Sequence, residues 1–118
     1  MAVTSASTFA AGTVISNAAA RVSQVHVTVP TAGTGGNTFL MIYDKATAPT
    51  GGTDTPVAVM EIFDTQDGFK GRRKMIFPGG GLRCGLGVGL FVATAFNGAT
   101  GATTTAPASV DVFFEPGN

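Results

Sequence analysis

The apolar positions of this chain recur mainly at every second residue. Val25, Val27 and Val29 alternate with Gln24, His26 and Thr28, the pattern of a strand with one buried and one wet face. Ala18, Val22, Val25 and Val29 also fall at helical spacing, but the β-branched content favours a strand, which Pro30 then closes. Thr38 to Asp44 (TFLMIYD) and Pro56 to Asp64 (PVAVMEIFD) are apolar on both faces. Such strands must be covered twice, by a second sheet plus a loop or by a neighbouring subunit. Leu90 to Phe96 (LFVATAF) and Ser109 to Glu115 (SVDVFFE) read as further strands. In the last, Val110, Val112 and Phe114 share one face, and Phe113 stands on an otherwise acidic one between Asp111 and Glu115.

Gly, Thr, Pro and Asn clusters separate these segments, and no window of eleven or more residues reads as a capped helix. Six to eight short strands so spaced predict an all-β fold, an antiparallel β-sandwich of jelly-roll type. Residues 1–20 are almost wholly small, with Phe9, Val14 and Ile15 as their large apolar anchors. They predict an extended N-terminal arm with a short strand at Thr13 to Ser16, ahead of a sandwich domain over residues 21–118. The N-terminal stretch has neither a basic leader nor a continuous apolar run, so no secretory signal or membrane span is expected in it.

Composition narrows the function classes. Of 118 residues only 12% are charged, Gly numbers 17 and Trp is absent, so much of the surface must be buried or placed against a partner. Seven basic and seven acidic side chains leave no net field to steer the chain to nucleic acid or an anionic membrane, and a neutral small protein tends to self-associate. The single cysteine, Cys84, excludes an internal disulfide and a cysteine-built zinc site, and reads as a small buried hydrophobe.

The run Pro78 to Phe91 (PGGGLRCGLGVGLF) poses the sharpest chemical question. A dinucleotide loop needs G-x-G-x-x-G opening a helix, whereas Gly85, Gly87 and Gly89 alternate and lead into a strand-like segment. The P-loop pattern is missing too, since no glycine is followed by Lys and then Ser or Thr. Architecture explains the run better. Gly79 to Gly81 supply positive backbone angles for a turn, and the alternating glycines strip one strand face of side chains so that other groups approach closely.

Catalysis has little to draw on. His26 is the only histidine, the carboxylates form no His-supported or calcium-loop arrangement, and no catalytic, cofactor or metal residue is assigned. Five of the seven basic residues, Lys70, Arg72, Arg73, Lys74 and Arg83, fall within fourteen positions. This cluster is the candidate docking patch for an acidic partner surface. Leu40, Ile42, Met60, Ile62 and Phe113 are the candidate subunit-interface residues.

The segments TFLMIYDKATAPTGGTDTPV, MIFPGGGLRCGLGVGLFVATAF and ASVDVFFE together resemble small structural proteins of tailed bacteriophages, over residues 38–115. The likeness lies in an aromatic-rich strand ending in Asp, a P-x-x-G-x-x-x-P loop and a GL-x-V/F-A-x-T/S strand; Ala93 to Phe96 (ATAF) departs from the Ser/Thr-rich pattern. It implies a virion protein of the capsid decoration, or cement, kind; the doubly apolar strands add the expectation of a homo-oligomer, taken as a trimer, which binds the major capsid protein on the virion surface after synthesis in the host cytoplasm. No cofactor, nucleic-acid or membrane partner is expected from the composition and motifs. A tail or head-fibre component and a carbohydrate-binding sandwich module are the rival readings. The absence of Trp and the single Tyr43 count against the latter.

Overall fold

The structure, a computed structural model, describes residues 2–6, 12–28, 38–62, 72–93 and 109–117. They form nine strands: β1 (Ala2–Ala6), β2 (Thr13–Ser16), β3 (Ala20–Thr28), β4 (Thr38–Asp44), β5 (Ala58–Ile62), β6 (Arg72–Ile76), β7 (Leu82–Cys84), β8 (Val88–Ala93) and β9 (Ser109–Pro116). Two antiparallel sheets pack together as a sandwich. The first runs β1-β9-β3-β6, with β7 also paired to β3, and the second runs β2-β8-β4-β5. The all-β sandwich expected from the period-two pattern is therefore what the chain forms.

Alternation builds the core. In β3 and β9 the residues Val22, Val25 and Val27 stand opposite Phe114, Val112 and Val110, and all six are buried. A bulge between Val22 and Gln24 shifts the phase of β3 by one residue, which lets Val22 and Val25 both face inward. From the second sheet Leu40, Ile42, Val88, Leu90 and Val92 meet them. Cys84 is buried in the same core, and desolvation raises its thiol to about 11, with the charge of Asp44 adding to the rise. It is a neutral packing residue at ordinary pH.

The first twenty residues are extended where described, and they belong to the sandwich. β1 lies at the edge of the first sheet against β9, and β2 at the edge of the second against β8. The short strand expected at Thr13 to Ser16 is present with those bounds. No arm distinct from the domain separates off at residue 20 among the described residues. Small alternating residues serve an edge strand as well as a free arm, so the sequence alone does not tell them apart.

The doubly apolar β4 is covered on both sides within one chain. Its inward face joins the main core, while Met41 and Tyr43, 0% and 1% exposed, form a second cluster with Phe91 and Ala93 on the sheet's outer side. Segment 45–57 folds back there, placing the buried Pro49 against Gly89. This corrects the expectation that Leu40 and Ile42 face another subunit, since both are 0% exposed between the sheets. Met60 packs partly buried on the same core, and the side chain of Ile62 lies outside the described residues. Phe113, on the outer face of the first sheet and half-buried, remains open to a neighbour.

Candidate functional site

Two features of the fold stand where a site was sought: the glycine run and the outer face of the first sheet. Gly79, Gly80 and Gly81 adopt φ of 71°, 93° and 97°, the left-handed turn expected of them. Gly87 and Gly89 are places of close approach, as expected. A Cβ at Gly87 would stand 2.6 Å from the Ser16 carbonyl oxygen, and one at Gly89 would stand 2.9 Å from Pro49 Cδ. Gly85 differs, having only Asp44 Oδ2 at 4.0 Å from such a Cβ.

The run does hold an anion, and the anion is the chain's own. Asp44, at the end of β4, accepts hydrogen bonds from the backbone N–H of Gly85 (3.1 Å), Leu86 (2.8 Å) and Gly87 (3.4 Å). Lys45 N donates in turn to the Gly87 carbonyl at 3.1 Å. The carboxylate thereby fastens β4 to the β7–β8 turn and occupies the backbone nest that a phosphate would need. The Leu86 N–H bond is the largest cause holding the Asp44 carboxyl below its usual range. The sequence signal for this, an Asp ending a strand ahead of a glycine-rich turn, is visible only once the two are known to adjoin.

The sign of the pH effect follows. A folded carboxyl titrating below its unfolded value, about 3.9, adds stability that is full above that pH and is lost as pH falls through the folded pKa. Asp44→Asn is expected to cost about 1–2 kcal/mol at pH 7, a charged hydrogen-bond value reduced for solvent screening. The gap between variant and parent closes as the denaturation series is carried below about pH 4. A constant gap would detach the effect from this carboxylate.

Beside this turn, Lys45 Nζ and Asp54 Oδ2 pair at 2.7 Å, and Asp54 also accepts from Thr50 N at 2.6 Å. These bonds close the loop that seats Pro49. Tyr43 donates its hydroxyl to Met41 Sδ at 3.3 Å, and its burial removes it as a platform for a sugar ring.

The five-residue basic cluster is divided by the fold. β6 and β7 lie end to end along the same side of β3, so Arg72 stands opposite Thr28 while Arg83 stands opposite Arg21. Those β3 positions are seven residues apart, roughly 20 Å along a strand. Within β6 the pattern alternates as well: Arg72 and Lys74 pair with the outer-face residues Thr28 and His26, and Arg73 pairs with Val27. Lys70 lies outside the described residues, as do the side chains of Arg72 and Arg73. Adjacency in sequence therefore did not make one patch, because a strand sends neighbours to opposite faces and a turn carries the chain away. Arg21, far from the cluster in sequence, is the basic residue that adjoins Arg83.

The outer face of the first sheet carries its polar groups in cross-strand rows. His26 accompanies Asp111, Gln24 accompanies Phe113, and Arg21 accompanies Glu115. His26 Nε2 is 3.0 Å from Gln24 Oε1, its ring centroid is 4.6 Å from that of Phe113, and Ser5 Oγ donates to Asp111 Oδ1 at 2.5 Å. Among the described residues no group of three His, Cys, Asp or Glu is placed to hold a metal ion. No family model, curated protein or solved structure matches the chain.

Proposed function

We propose that this chain is a non-enzymatic structural protein of a tailed-phage virion, which decorates the assembled capsid and stabilises the shell by binding it. The observation that carries the reading is the strand order. With β7 set aside as an insertion, we read β1-β9-β3-β6 facing β2-β8-β4-β5 as compatible with the eight-strand order of a jelly roll. Capsid and lectin domains use that architecture. A fold by itself hosts many functions, so the resemblance over residues 38–115 is what favours the virion. The lectin alternative is disfavoured by the burial of Tyr43.

The physical mechanism is mass action. A protein that binds the assembled shell and not its free subunits shifts the equilibrium toward the shell, and many copies on one particle reinforce the shift. The contact with the major capsid protein is assigned to the end of the sandwich where β3, β5 and β8 lead into residues 29–37, 63–71 and 94–108. Arg72 stands at that end, opposite Thr28; together with its sequence neighbours Lys70 and Arg73 it is assigned the steering of docking onto an acidic surface.

Pelleting the purified chain with empty shells tests the reading. Saturable co-sedimentation is expected. Alanine at Lys70, Arg72 and Arg73 is expected to weaken it about tenfold at low ionic strength and less at high salt. Arg83→Ala, at the other end, is expected to leave it unchanged. Failure of the folded chain to pellet with shells, or its pelleting with tails alone, would overturn the decoration reading.

A further inference from the structure

We infer that the outer face of the first sheet is a self-complementary surface whose partner is a second copy of this chain, paired face to face about a twofold axis parallel to the strands. The inference is independent of the shell-binding proposal and rests on the layout of charge and apolar groups across that face.

One row crosses all four strands in the order Val3, Phe113, Gln24 and Ile76. Both its ends are large and exposed, Val3 at 53% and Ile76 at 64%. On either side of the row the charges are divided by strand. β9 carries the acids Asp111 and Glu115, while β3, β6 and β7 carry Arg21, Lys74 and Arg83. Arg21 stands between Arg83 on β7 and Glu115 on β9 of its own chain, and its Nε is buried without a hydrogen-bond partner.

The choice of occupant follows from this division. A twofold axis parallel to the strands and lying between β9 and β3 places the acidic half of one copy over the basic half of the other. Val3 then meets Ile76 of the second copy, Phe113 meets Gln24, and Glu115 meets Arg21. An axis across the strands would put base on base and acid on acid. The same surface is thus used by both copies, and the contact closes at two. The threefold assembly expected from the sequence does not follow from this face. Four strands about 4.8 Å apart and some seven residues long make a patch of roughly 450 Å² per copy before side-chain relief, below the roughly 800 Å² per partner of a standard interface and the size of a weak, transient one. Micromolar association is the matching expectation.

Sedimentation equilibrium of the isolated chain, from about 1 to 200 µM, is the test. The mass is expected to rise from 11.8 kDa to twice that value. Ile76→Asp, and independently Val3→Asp, is expected to raise the dissociation constant at least tenfold, roughly the effect of losing one central contact. Leu86→Asp, exposed at 65% on the turn away from this face, is expected to leave it unchanged. A monomer throughout the range, a trimer, or a dimer indifferent to both aspartates would overturn the inference.

Discussion

Gly87→Ala is expected to destabilise the fold by about 3 kcal/mol or more, lowering the melting temperature by roughly 10 °C. The added methyl would stand 2.6 Å from the Ser16 carbonyl oxygen, 2.8 Å from Ala46 Cα and 2.8 Å from the Lys45 carbonyl oxygen. All three are backbone atoms, on two separate segments, so no rotamer change relieves the overlap. Moving the backbone would disturb the Gly87 N–H bond to Asp44 and the Lys45 bond to the Gly87 carbonyl. Gly89→Ala overlaps with the Pro49 ring, the Thr13 carbonyl oxygen being at an ordinary 3.7 Å, and is expected to lose less. Gly85→Ala, with open space around it, is expected to stay within about 0.5 kcal/mol of the parent. Thermal melts of the three variants decide the matter. Equal losses at Gly85 and Gly87 would contradict the close packing of the β2–β3 and β4–β5 connections on this turn.

Leu40→Ala is expected to cost about 3 kcal/mol, within the range of 2–5 for a fully buried leucine that leaves a cavity. Leu40 is 0% exposed in a core supplied by both sheets. Its loss is therefore expected to be the same at every protein concentration. A residue at a subunit interface would behave otherwise, because stability linked to association rises with concentration. Denaturant titrations at two concentrations a hundredfold apart separate the cases. A concentration-dependent loss would return Leu40 to an intersubunit position.

The sandwich was legible in the sequence because a period of two leaves a residue-by-residue trace. The valines of β3, the alternation in β9 and the apolar run of β4 each mark a strand directly. What was illegible depends on pairing. β1 and β7 are too short or too poor in large residues to stand out, and their strand state comes from β9 and β3 beside them. The apolar outer face of β4 announced that something covers it, but not that Pro49 and its loop are among the covering groups. The basic cluster failed for the complementary reason: sequence records proximity along the chain, and β6 and β7 turn that proximity into separation along β3. The Asp44 cradle joins residues more than forty positions apart, so the glycines disclosed a turn without disclosing its occupant.

If the chain is a shell-binding structural protein, its stability and its function rest on different surfaces. The core, the Asp44 cradle and the Pro49 loop hold the sandwich together. The end at which β6 begins, with Arg72, is assigned to the shell, and the outer face of the first sheet to a second copy. The most direct measurement is the melting temperature of assembled empty shells, scanned by calorimetry alone and with a saturating excess of the chain. A shell transition several degrees higher is expected with the chain present, rising with its concentration as binding linkage requires. A transition unmoved by a folded, soluble excess of the chain would contradict it.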